Sequence, residues 1–301
     1  MTEADSAAPA VGRVSMTALL VLAMIMWGNT VVAIKFVGGY VGPLQLVALR
    51  FPLAALFFAV MLLPFRASRI WELIRAYGGR LALMGLFGGV LNNAFWAWST
   101  RGIPGGTATL IAALIPAFTY LLSALFLDER VTWSRSFGLI VAFIGLIVLI
   151  RWGTGRELGL GALGYGLLAV IAVATHAVYT VLGKPLLRDQ PPVLVTGVSM
   201  GFAGLFSLAF VSPGFLAKLP SLPISVWGSV LFLSLLSTVF AFAVWCEALQ
   251  RMPAGQVGSF TYLVPLVGVL SGHVFLSEPI TIGLAFGGGL VIIGVIIVNR
   301  G

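Results

Sequence analysis

Most of this chain occurs twice, and that repetition constrains its fold more than any single motif. The stretch from Arg101 to Leu149 begins Arg101-Gly-Ile-Pro-Gly-Gly-Thr and carries Pro116 in an apolar run. It then reaches Phe126-Leu127-Asp128-Glu129 and enters a second apolar run with Gly138 and Gly145. Adding 149 to every number reproduces the pattern without a gap. Pro104 matches Pro253, Gly106 Gly255, Leu114 Leu263, Pro116 Pro265, Phe126 Phe275, Glu129 Glu278, Thr132 Thr281, Gly138 Gly287 and Gly145 Gly294. The same register pairs Trp96 with Trp245 and Lys35 with Lys184. Chance gives two greasy segments a few identities, but not proline, glycine, glutamate and tryptophan together in one register. A unit of about 140–150 residues is too long for a solenoid repeat and is the size of half a transporter.

The solvent for such a chain is lipid. Of its 301 residues, 60% are hydrophobic and 9% charged, against about 25% charged in soluble domains, and its mean hydropathy is +1.10. The net charge of +8 would suggest nucleic acid in a soluble protein. Here the basic residues cluster in loops, where they report topology, and no nucleic-acid partner is expected. One cysteine, Cys246, excludes an intramolecular disulfide and a cysteine-based metal cluster; no cofactor or metal is expected. The apolar run from Ala18, with Arg13 before it, mimics a signal-peptide core. No small-residue cleavage site with a polar mature chain follows, so it reads as a first span.

Ten apolar segments, each near the roughly 20 residues needed to cross a bilayer, fall at about 16–37, 43–63, 80–99, 104–126, 134–151, 161–183, 193–212, 225–249, 254–276 and 280–298. The expected fold is an all-α integral membrane protein. It comprises a disordered cytoplasmic tail (1–15), a first five-helix repeat (16–151) and a second (152–301). With ten spans both termini share one side. That side holds eleven lysines and arginines against four on the other, with Lys35 and Arg50 inside spans, which puts both termini in the cytoplasm. Five is odd, so the second repeat is inverted relative to the first, and inverted repeats place a substrate path between them near the midplane.

Polar groups inside the spans are functional candidates because each is costly in hydrocarbon. Asn92 and Asn93 are amides that both donate and accept, suiting an amino acid, and equally able to bond between helices. Trp27 aligns with His176 across the repeat, and Tyr179 lies one turn beyond His176. Trp96 and Trp245 occupy equivalent places, either lining a cavity or packing. Asn29, Thr119 and Tyr262 complete the candidate substrate-binding set. Candidate coupling groups are Glu247, His176 and His273, although Glu247 precedes Arg251 by four residues, the spacing of a local helix pair. Arg50 could meet a substrate carboxylate, with a structural ion pair or snorkelling as the blander reading. Lys35 and Lys184 read as interfacial. Pro116 and Pro265 break the helical ladder at matching levels and are expected to kink their spans beside the cavity. Gly197-x-x-x-Gly201 and Gly283-x-x-x-Gly287 read as helix-packing pairs. No HExxH, paired-Asp or nucleophile–base signature is present, so an enzyme is not expected.

The Trp27-Gly28-Asn29 step before Lys35 and Leu49-Arg50-Phe51 resemble EamA-type proteins of the drug/metabolite transporter superfamily. So do the Ile103-Pro104-Gly105-Gly106 and Met252-Pro253-Ala254-Gly255 turns, the midspan Pro116 and Pro265, and the Glu129 and Glu278 endings. The likeness covers about 16–298 and is greatest to the bacterial aromatic amino acid exporters. It implies ten helices in a basket around a central cavity, in the bacterial inner membrane, as a monomer or homodimer. It also implies efflux of amino acids, aromatic and other hydrophobic ones in particular, by alternating access. Multidrug or other small-metabolite efflux is the alternative within the superfamily.

Overall fold

The computed structural model describes residues 10–126, 132–152, 160–251 and 260–300. Among these residues it contains helices and turns and no strand. In chain order the long elements are α1 (Ala10–Gly38), α2 (Pro43–Leu62), α3 (Ala67–Ser99), α4 (Gly105–Phe126), α5 (Trp133–Trp152) and α6 (Leu160–Asp189). They continue with α7 (Pro192–Phe210), α8 (residues 224–251), α9 (Leu263–Leu276) and α10 (Ile282–Arg300). Seven of them, α1–α4 and α6–α8, are long and apolar enough to cross a membrane. Apolar stretches of α5, α9 and α10 are shorter. Large apolar side chains such as Trp133, Ile282 and Phe286 are more than half exposed, a surface that suits lipid and not water.

Local chemistry sets the helix ends. Pro43 and Pro192 open α2 and α7 at the position where a missing N–H costs nothing, and Gln45 Oε1 accepts the Gly42 N–H at 2.9 Å. Carbonyls just beyond the C-terminus of α1 accept from cations of other segments. Lys218 Nζ donates to Tyr40 O at 2.6 Å, and Arg101 Nη2 donates to Val41 O at 3.2 Å. Between α7 and α8 a short helix, Pro213–Lys218, buries Phe215 against the end of α1 and the start of α2.

Several boundaries differ from expectation, that of α3 most. Helix α3 starts at Ala67, not near residue 80. Its first half is amphipathic, with Leu73 and Leu81 buried while Arg69, Glu72 and Arg75 stand exposed. The apolar stripe at Ile70, Leu73, Ile74 and Leu81 is a helix signal, but the charges between dilute its hydropathy below that of a span. Similarly, α1 begins at Ala10, ahead of the expected first span; residues 1–9 of the expected tail lie outside the described residues.

Equivalent positions of the repeat share backbone irregularities. Both α3 and α8 contain π-helical stretches, Gly85–Leu91 and Phe232–Phe240; adding 149 to 85–91 gives 234–240, inside the second. In α4 the helix breaks at Ala113–Leu114, two residues before Pro116. Their N–H groups bond three residues back, to Leu110 and Ile111, because Pro116 has no N–H to continue the ladder. The same positions plus 149 are 262–263, where a 3-10 turn (Phe260–Tyr262) gives way to α9 and its buried Pro265.

The packing of α5 on α10 is reciprocal. A Cβ on Gly145 would meet Val291 N and Gly287 O, and one on Gly294 would meet Ala142 N and Gly138 O. Subtracting 149 from the first set of partners gives the second. The helices run antiparallel, because Gly283 faces Trp152, Gly287 faces Leu149 and Gly294 faces Ala142. Small residues here allow the backbones to approach closely.

Candidate functional site

The two π-helical stretches meet at a buried arginine. Arg50, on α2, is 6% exposed. Its Nε and Nη2 both donate to Thr238 Oγ1, at 3.1 and 2.8 Å, and Nη1 donates to Asn93 Oδ1 at 2.8 Å. Thr238 lies in the π-helix of α8 and donates its own hydroxyl to Leu233 O five residues back. Asn93 follows the π-helix of α3 and donates to Gly89 O at 2.8 Å. A π-turn displaces the backbone ladder by one residue and leaves carbonyls that side-chain donors can reach.

The network extends through neighbouring residues. Asn92 Nδ2 donates to Ala172 O of α6 at 2.7 Å. Beside Thr238, Ser237 shares a 2.6 Å hydroxyl–hydroxyl bond with Thr30 of α1, and its carbonyl accepts the Trp27 Nε1–H at 2.9 Å. Five helices from both halves of the chain thus converge on one polar cluster. Trp27 stands 5.5 Å, ring to ring, from both Phe242 and Trp245 of α8. Gly88 makes room for Tyr179, since a Cβ there would overlap the tyrosine ring.

Of the sequence candidates, Trp27, Asn92, Asn93, Trp245 and Tyr179 therefore belong to this cluster or its aromatic wall. The His176 ring lies 5.8 Å from that of Tyr179 on α6, tilted at 48° to it. Trp96 packs between the core around Val31 and the one around the end of α1. Thr119 is partly buried on α4 beyond the break. Asn29 is half-buried on α1, and its amide donates to Ile25 O one turn back at 2.9 Å, within its own helix. Glu247 pairs with Arg251 one turn on, the carboxylate accepting Nε at 2.6 Å in an exposed setting. The side chains of Pro116 and Tyr262 lie outside the described residues. Ser237 and Thr238 escaped the sequence reading. The signal was Ser234, Ser237 and Thr238 in one apolar run, hydroxyls that a buried arginine elsewhere would need.

A second polar cluster closes the ends of α1, α4 and α9. Glu278 accepts from Lys35 Nζ at 2.6 Å, from Gly105 N at 2.7 Å and from Gly106 N at 3.1 Å. A carboxylate at a helix N-terminus satisfies orphan N–H groups and the helix dipole together. Glycine is required around it, because a Cβ on Gly272 would lie 2.6 Å from the Glu278 carboxylate. The preceding Ser277 sits at φ 53, a left-handed conformation uncommon outside glycine. His273, exposed at the end of α9, places Nδ1 2.9 Å from Glu278 O. Lys35 is thus an ion-pair partner and not a snorkelling side chain. The repeat counterpart of Glu278, Glu129, lies outside the described residues.

The model of the EamA-like transporter family matches twice, over residues 15–151 and 164–300, two blocks that are themselves 149 apart. An uncharacterized transporter of Archaeoglobus fulgidus is 29% identical over 94% of this chain and 98% of its own length. A "Probable terminal-alkyne amino-acid exporter" of Streptantibioticus cattleyicolor is 31% identical over 93% and 92%. A "Probable amino-acid metabolite efflux pump" of Salmonella typhimurium is 26% identical over 93% of each. A crystal structure with 22% identity, covering 94% of this chain and 96% of its own, superposes with a TM-score of 0.61 and shares the fold. The chain belongs to the EamA-like transporter family, as its doubled sequence and apolar helices lead one to expect.

Proposed function

We propose that this protein is a secondary transporter that exports amino acids, aromatic and other hydrophobic ones among them, across the bacterial inner membrane by alternating access. In this reading α5, α9 and α10 complete a set of ten spans. Residues 16–151 and 152–301 are the two inverted repeats, and both termini are cytoplasmic. The observation that carries the reading is the cluster of Arg50, Asn93 and Thr238. It lies deep inside apolar helices, between equivalent π-helical breaks of the two halves, where an inverted-repeat carrier binds its cargo. The antiparallel, reciprocal contact of α5 with α10 supports the inversion. The printed names of two relatives, an exporter and an efflux pump for amino acids or their metabolites, support the substrate class. The aromatic wall of Trp27, Phe242 and Trp245 suits an aromatic side chain.

Transport follows the substrate gradient. The intramembrane carboxylate Glu247 is already paired with Arg251, and His273 bonds a loop carbonyl at a helix end. The test is uptake of radiolabelled amino acids into proteoliposomes of the purified protein with no ion gradient, competed by phenylalanine, tryptophan, methionine, alanine and a lipophilic cation. Saturable uptake blocked by aromatic amino acids is expected. Uptake blocked by the cation alone moves the function to multidrug efflux. An absolute requirement for an imposed pH gradient refutes the gradient-driven mechanism.

A further inference from the structure

Arg50 carries a charge that nothing described around it neutralises. Its three hydrogen bonds go to a hydroxyl and an amide, both neutral. The ion pairs among the described residues join Lys35 to Glu278 and Arg251 to Glu247, and neither includes Arg50. A buried cation without a counter-charge is strongly disfavoured, more so in a membrane than in a soluble core. A chain can keep one where a mobile anion visits.

The geometry also leaves the group ready for such a visitor. A guanidinium has five N–H donors. With Nε, one hydrogen of Nη2 and one of Nη1 engaged, each terminal nitrogen keeps one hydrogen without a partner. The two hydrogens left over sit on the two terminal nitrogens of one planar cation, and carboxylate oxygens are the acceptors such a group takes best. Thr238 and Asn93 hold the fork rigid from opposite sides, each anchored in turn to a π-helix carbonyl at 2.8 Å. Next along α8 from Thr238, Ser237 holds Trp27 through its carbonyl. Trp27, with Phe242 and Trp245 beside it, is thus tied to the Arg50 cluster through adjacent residues of α8 and offers that cluster an aromatic neighbour.

We propose that Arg50 is the recognition point for the carboxylate of the transported substrate, with Thr238 and Asn93 as the residues that position it. The inference rests on the amino-acid reading above and names which end of the substrate the cluster holds. In proteoliposome uptake, phenylalanine is compared as competitor with phenylalanine amide and with phenylethylamine, which lack the carboxylate. The wild-type protein prefers phenylalanine by about tenfold to a hundredfold, the range of a hydrogen-bonded charge contact. Arg50→Gln abolishes the preference, and Arg50→Lys retains part of it.

If Arg50→Gln fails to fold, a wild-type experiment replaces it. Modification of Arg50 by phenylglyoxal, read by mass spectrometry, is slowed by phenylalanine and not by its amide. A preference retained in a folded Arg50→Gln protein overturns the proposal. So does an Arg50 that is never modified, or that both compounds protect equally. Wild-type transport of phenylalanine and its amide at equal affinity sinks this inference and leaves the transporter reading standing. A wild-type protein with no saturable amino-acid uptake sinks the reading itself.

Discussion

Removing the Glu278 charge should loosen the junction of α1, α4 and the α9–α10 turn, and the size of the effect follows from its geometry. The carboxylate accepts three N–H groups, at 2.6, 2.7 and 3.1 Å. In Glu278→Gln one neutral carbonyl remains as acceptor, so at least one bond is lost outright and Lys35 keeps its charge without a counter-ion. Hydrogen bonds to charged groups are worth roughly 1.5–3 kcal/mol each when buried. The side chains of Lys35 and Glu278 are 22% and 13% exposed, so water screens part of this, and about 2 kcal/mol is a reasonable total. That corresponds to a ~30-fold larger opening constant. The probe is Val31→Cys in a Cys246→Ala background. Val31 is fully buried and its side chain faces Gly105, so a membrane-impermeant maleimide reaches a thiol there only after local opening. Labelling should rise ~30-fold with Glu278→Gln and to a similar extent with Lys35→Met. The double variant should be only slightly faster than either single one, because the two residues act as a pair. Labelling within twofold of the background in Glu278→Gln, or effects that multiply in the double variant, would refute the reasoning.

Three further outcomes follow from the packing. Thr238→Val keeps the shape but removes the acceptor of two guanidinium bonds, and should cost about 1–3 kcal/mol, seen as a lower melting temperature in detergent that Thr238→Ser restores. Gly85→Ala, whose Cβ would meet Ser199 O and Ala203 N, should be destabilising by about 1–3 kcal/mol, whereas Gly79→Ala, on the same helix with open space, should be neutral or stabilising by up to about 1 kcal/mol; equal melting temperatures would contradict the assigned contacts. Gly145→Ala and Gly294→Ala should cost similar amounts, since their surroundings are the same contact seen from its two ends, and a large difference in melting temperature would show that the α5–α10 seam is not reciprocal.

The helical scaffold was largely legible because its signals are local or strictly periodic. Apolar length marked the helices, and proline and glycine marked their ends. The 149-residue register marked Gly138, Gly145, Gly287 and Gly294 as equivalents, and the structure crosses the pairs, Gly145 against Gly287 and Gly294 against Gly138. Where the reading fell short, hydropathy averaged away a second pattern: α3 extends back to Ala67 because an apolar stripe persists between charges that lower the mean. The π-helical stretches were invisible for a related reason. Gly85–Leu91 and Phe232–Phe240 look like ordinary apolar span, and nothing in residue type separates a five-residue ladder from a four-residue one.

The polar cluster was legible only in part, because its bonds join positions far apart in the chain. Asn92 and Asn93 stood out as amides at membrane depth, yet their value depends on Arg50 and Ala172, on other helices. Arg50, inside a span, could be read as a carboxylate contact, an ion-pair member or a snorkelling cation until Thr238, 188 residues away, supplied its acceptor. Lys35 and Glu278 are the instructive contrast. Both sit at repeated positions, and a charge that recurs at a span end in each half has a reason to recur. The structure supplies that reason in one half: Lys35 from the first repeat, Glu278 from the second and the α4 N-terminus from the first close a single ion cluster. Duplication therefore carries more information about pairing than about depth. A lone polar residue in a span says that a partner exists, whereas a lysine and a glutamate repeated in register narrow the partners to a few, and the fold selects Lys35 with Glu278.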